Sequence, residues 1–194
     1  MHDAPPGTGD DRRSGAAPPR FTVALAGTRV RVSAGLLTWL VVALAGAMLD
    51  REASVAPLLG VTALLLSMVV HEGAHAVAAH SLGYQVEWVV LGGLAGVTAW
   101  FGRDDRPLER AAVALAGPAA TAALLLVFLA AWPLVPDGSG LLDVVYASVL
   151  VNAVALVGNL VPVGGTDGAL LWRGLAEHAR LRRDGRSLDR DVPG

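Results

Sequence analysis

Cysteine is absent from the 194 residues, which excludes disulfides, iron–sulfur clusters, thiolate zinc sites and a cysteine nucleophile. Any metal must therefore be held by His and carboxylates. Lysine is absent as well, so all 15 basic residues are Arg. Aromatics amount to 5% and the formal net charge is -2, which leaves few stacking platforms and gives poor support to a nucleic-acid partner. Charged residues reach only 16%, against 54% hydrophobic. Soluble domains carry about 25% and about 45–50% respectively, so the balance is tilted toward the bilayer.

What is present is long apolar runs. Four stretches, 32–49, 53–70, 111–136 and 144–166, contain no Asp, Glu, Lys, Arg or His. Each reaches the roughly 18 residues at which a membrane-spanning helix is expected. Four buried helices in a soluble chain of this size would leave nothing to cover them. The expected fold class is an all-α polytopic membrane protein with about four transmembrane helices. The first run, preceded by Arg29 and Arg31 and containing Ala45-Gly46-Ala47, has features of a signal peptide. Its length and the spans that follow favour a retained helix.

Arg residues set the orientation. They crowd the segment before the first run and the segment after the last, and none lies around 133–140. This alternation places both termini in the cytoplasm of a multi-pass cell-membrane protein. Residues 1–20, rich in Pro, Gly and Asp, are expected to be a disordered tail. The core is expected over 21–172. Residues 173–194 read as an Arg-rich cytoplasmic tail that starts as a polar helix and contacts lipid headgroups.

Between the second and third runs, the β-branched and aromatic residues of 84–91 precede Gly92-Gly93, and a second apolar piece follows. The pattern predicts a membrane-associated β-hairpin, with a short fifth span as the alternative. An open strand edge in lipid must face protein, a water-filled cavity or a bound peptide.

The chemistry sits in His71-Glu72-Gly73-Ala74-His75. On a helix, residues four apart share a face, so both imidazoles reach one metal ion, while Glu72 lies one residue aside as a general base. Ionisable groups inside a membrane helix are expensive and functional by default. His80, nine residues after His71, falls on the other side of the helix; His2 and His178 lie in polar tails. A zinc ion needs a third protein ligand. Asp167, just after Asn159-Leu160-Val161-Pro162-Val163-Gly164-Gly165-Thr166, is the acidic residue embedded in a late apolar segment. Ligation and helix capping are its two readings, and a shared cytoplasmic depth with His71 and His75 favours ligation.

HEGAH on a membrane helix, a Gly-Gly hairpin and then NLVPVGGTDG together resemble the site-2 protease family of intramembrane zinc metalloproteases, over roughly residues 21–175. The resemblance implies one Zn²⁺ held by His71, His75 and Asp167, with Glu72 as general base. It also implies Asn159 beside the site, steadying the substrate carbonyl or its oxyanion. Leu91, Gly92 and Gly93 would hold the substrate as an added strand. The substrate would be a transmembrane or membrane-tethered protein, cut near the cytoplasmic leaflet. On this resemblance the chain would be a compact form without the PDZ-like or CBS-like domains of some relatives. Thr121 departs from the pattern, since many relatives carry Asn there, and Gly117 and Ala120 read as a small-residue helix contact. The alternatives are a membrane metal-ion transporter or channel, and a catalytically silent member of the fold that binds membrane proteins.

Overall fold

Alternating residues at 21–32 build two short strands before any helix begins. The structure, a computed structural model, describes residues 21–25, 28–49, 56–92, 96–102 and 106–190. The expected tail 1–20 and Gly93 lie outside the described residues. Strands β1 (Phe21–Leu25) and β2 (Thr28–Val32) pair antiparallel. Helices α1 (Ala34–Leu49) and α2 (Ala56–Ser81) follow, then β3 (Gln85–Leu91), β4 (Val97–Phe101) and α3 (Pro107–Ala131). A short 3-10 turn, Trp132–Leu134, leads to α4 (Gly140–Leu160) and α5 (Asp167–Arg190).

The fold class is mainly helical, as expected, and the predicted hairpin is present as β3 and β4, antiparallel to each other. The sheet is larger than that hairpin. β2 lies parallel to β3, giving a four-stranded order β1-β2-β3-β4 in which β4 has one edge unpaired among the described residues.

Three helical segments among the described residues are long and apolar enough to cross a membrane: Leu58–Ser81, Pro107–Leu134 and Gly140–Leu160. The expected number was about four. β2 and Ser33 take the start of the first apolar run, leaving 16 residues in α1. That is about 24 Å of helix, short of the roughly 30 Å of hydrocarbon. α2 continues to Ser81, so the HEGAH motif lies within the helix instead of at its end. At the other end of the chain, α5 runs unbroken through 172/173, the junction expected between core and tail.

The helices pack through small and polar groups, as bilayer proteins do. α3 opens with Pro107 at its first turn, where a missing N–H costs nothing, and Glu109 there complements the helix dipole. Its buried face is Ala111, Val113, Ala114, Gly117, Pro118 and Thr121. Between α2 and α4, Asn152 is fully buried and donates from Nδ2 to Ser67 Oγ at 2.9 Å. The large exposed apolar residues, among them Leu126, Val127, Leu150, Val154 and Val157, are the outward faces of these same spans.

Candidate functional site

α2 presents His71, Glu72 and His75 to the interior, each less than 9% exposed, although an ionisable group on an apolar helix is costly to bury unpaired. Their partners come from α3, β4 and the start of α5. His75 Nδ1 lies 2.7 Å from the Val113 carbonyl. A carbonyl only accepts, so the ring proton is on Nδ1 and the neutral ring keeps its lone pair on Nε2. His71 Nδ1 lies 2.8 Å from the Thr121 hydroxyl, which fixes that ring in the same sense when Thr121 accepts. Pro118 has no N–H to give the Ala114 carbonyl, which loosens α3 next to the carbonyl that His75 uses.

The two Nε2 atoms face each other at 3.2 Å. The Asp167 carboxylate closes the set, with Oδ2 3.0 Å from His71 Nε2 and Oδ1 3.2 Å from His75 Nε2. Lone pairs that converge on one another and on a carboxylate call for a cation between them. The donor set fits zinc. Ligand bonds of about 2.0–2.1 Å in a tetrahedron separate donors by about 3.3 Å, close to the spacings found. His71, His75 and Asp167 form the group that could hold a metal ion among the described residues.

Asp167 is free to face the imidazoles because another residue does the capping. Thr166 Oγ1 accepts from the Ala169 N–H at 3.2 Å, the side-chain cap that the alternative reading had assigned to Asp167.

Glu72 stands apart from the converging donors. Thr98 on β4 donates its hydroxyl to Glu72 Oε2 at 2.6 Å. The approach is close: a Cβ at Gly96 would fall 2.3 Å from Glu72 Oε1. Gly117 is tighter in the same way. A Cβ there would lie 2.3 Å from His75 Nε2 and 2.7 Å from His71 Nε2. The small-residue helix contact expected at Gly117 is in fact an approach to the two imidazoles.

A cavity of about 220 Å³ opens beside these groups, with Val97, Thr98 and Trp100 of β4 on one wall and Asn159, Thr166 and Asp167 on another. Asn159 is therefore at the site. Leu91 has its β2-facing side occupied, since it stands opposite Val32 and its carbonyl accepts from Ser33 N–H at 3.0 Å, whereas its register with β4 ends at the preceding Val90. Gly92 follows it outside any strand. The open edge of the hairpin belongs to β4. His80 is exposed, as expected. Sequence reasoning missed Thr98, Gly96 and the Thr121 hydrogen bond, since a Thr on a strand or helix carries no local mark of its distant partner.

Thr121→Val keeps the shape of that residue and removes its bond to His71. Such partners of ligand imidazoles are worth about 10–100-fold in metal affinity. Zinc titration of the purified variant is expected to show a loss in that range, and wild-type affinity would deny Thr121 a part in orienting the ring.

No protein-family model matches the chain. Two curated sequences do, both named "Putative zinc metalloprotease Rip3", from the Erdman and H37Rv strains of Mycobacterium tuberculosis. Each is 36% identical over 125 residues, covering 59% of this chain and 31% of the relative. The matched stretch thus spans about a third of those relatives' length. Among solved structures, the site-2 protease from Methanocaldococcus jannaschii matches with a TM-score of 0.67 and 20% identity, covering 81% of this chain and 73% of that one.

Proposed function

We propose, on the premise that this chain belongs to the site-2 protease family, that it is an intramembrane zinc metalloprotease. It hydrolyses peptide bonds in or near membrane-spanning segments of other proteins. The observation that carries this reading is the convergence of His71, His75 and Asp167 from two helices, with donor atoms all within 4.8 Å of one another. An ion path would need several such clusters along a conduit, and the described residues hold one. A silent binding protein has no use for a buried Glu72 held in a fixed orientation.

His71 Nε2, His75 Nε2 and the Asp167 carboxylate would hold one Zn²⁺, which supplies an acidified water and polarises the scissile carbonyl. Thr98 holds Glu72 Oε2, leaving Oε1 to take a proton from water and hand it to the leaving amine. Asn159, which lines the same cavity, would donate to the carbonyl oxygen as charge develops there. A helix hides its carbonyls in internal hydrogen bonds, so the substrate must be unwound. The free edge of β4 offers it a strand to pair with. The protein crosses the cell membrane several times with both termini in the cytoplasm, and residues 21–172 form the hydrolytic core.

The test combines metal content with cleavage of a fluorogenic peptide by the purified full chain. Wild type is expected to carry about one zinc per chain and to cut the peptide. Asp167→Ala is expected to lose most of both. Full metal stoichiometry in that variant would require another third ligand, and a metal-loaded wild type that cuts nothing would end the hydrolase reading.

A further inference from the structure

The groove beside the site continues past Trp100. Trp100 and Leu170 are shared with a second cavity of about 200 Å³, whose other walls are Arg110, Arg173, Gly174 and Glu177. Arg110 on α3 pairs with Glu177 on α5, and its Nε is buried with no hydrogen-bond partner among the described residues. Arg173 lies one helical turn before Glu177, on the same face. Two guanidiniums and one carboxylate therefore line the cavity among the described residues. The lining keeps one positive charge in excess and one buried donor unused, beside an indole wall. A second carboxylate on a short apolar stem satisfies all three features, because the planar guanidinium fork matches carboxylate geometry.

We propose that this cavity is a specificity subsite for an acidic side chain, Asp or Glu, of the peptide being cut. The proposal rests on the hydrolase reading above and adds which substrates are preferred. Thr98 and Trp100 are two apart on β4 and both line the groove, so they are about 6.7 Å apart along the strand. Thr98 marks the position of Glu72. A peptide paired with β4, its reacting carbonyl beside Glu72, presents a side chain two to three residues away at Trp100 and the Arg pair. A basic side chain at that position leaves the buried Arg110 Nε unpaired, and an amide offers it a neutral acceptor without the compensating charge.

A peptide series tests this with the zinc-loaded full chain in nanodiscs. A single Glu is walked through the three positions on each side of the cut, each with a matched Gln control. One position two to three residues from the bond is expected to favour Glu by about tenfold in kcat/KM, mostly through KM. Arg173→Glu is expected to reverse that preference toward Arg at the same position, with zinc stoichiometry equal to wild type as the check on folding. Cleavage that is indifferent to charge at every position would overturn the subsite and leave hydrolysis standing. Absence of cleavage of every peptide by wild type would remove the hydrolase reading itself, and the subsite with it. A rate that follows the anionic lipid content of the disc and ignores peptide charge would assign the Arg pair to headgroups and also overturn the proposal.

Discussion

Glu72→Gln is expected to lower peptide cleavage by about 10²–10⁴-fold while zinc content stays at the wild-type level. The two outcomes separate because Glu72 is not among the converging donors. Its carboxylate is turned toward Thr98, which donates to Oε2 at 2.6 Å, while the group that could hold a metal ion comprises His71, His75 and Asp167. Gln has the same length and still accepts from Thr98 through its amide oxygen, so the pocket keeps its shape. What it loses is the capacity to take a proton from water and return it to the amine. Loss of zinc alongside activity would make Glu72 a ligand, and undiminished cleavage would remove it from the chemistry altogether.

The second large effect is expected at a residue with no functional group. Gly117→Ala introduces a methyl 2.3 Å from His75 Nε2 and 2.7 Å from His71 Nε2, distances that carbon and nitrogen cannot share without bonding. Gly117 sits in α3, and Ala is preferred over Gly in a helix by about 1 kcal/mol. A purely structural role therefore predicts a neutral or stabilised protein. Proximity to the imidazoles predicts the opposite for metal: zinc stoichiometry near zero, cleavage lost with it, and helical content by circular dichroism unchanged. Normal metal content in Gly117→Ala would show that the rings accommodate the methyl and that the packing reading suffices.

The parts of the fold that were legible are those governed by local composition. Charge-free runs of adequate length located α2, α3 and α4, and the Gly-Gly break between apolar pieces located the β3–β4 hairpin. The His71–His75 pairing follows from helical periodicity within one element. β1 and β2 were not anticipated, because five-residue strands carry little periodic signal and β2 abuts an apolar run that dominates any reading of that region. The parallel pairing of β2 with β3 joins positions about 60 apart in sequence, and nothing in either strand announces the other. The same holds within the site. Thr121 was noted as a departure from its relatives, yet its bond to His71 spans 50 positions. Thr98 and Gly96 became meaningful only once β4 was seen to lie against Glu72.

The His71–Asp167 contact joins groups 96 positions apart in the chain. An ion gripping both ends would therefore act as a reversible crosslink around a loop containing α3, α4 and half the sheet. Closing such a loop once, in the assembled protein, is far cheaper than closing it in a disordered chain. Occupancy and thermal resistance would thus be thermodynamically linked, and a chelator that stripped the ion would withdraw a tether from the whole bundle as well as a reagent from its centre.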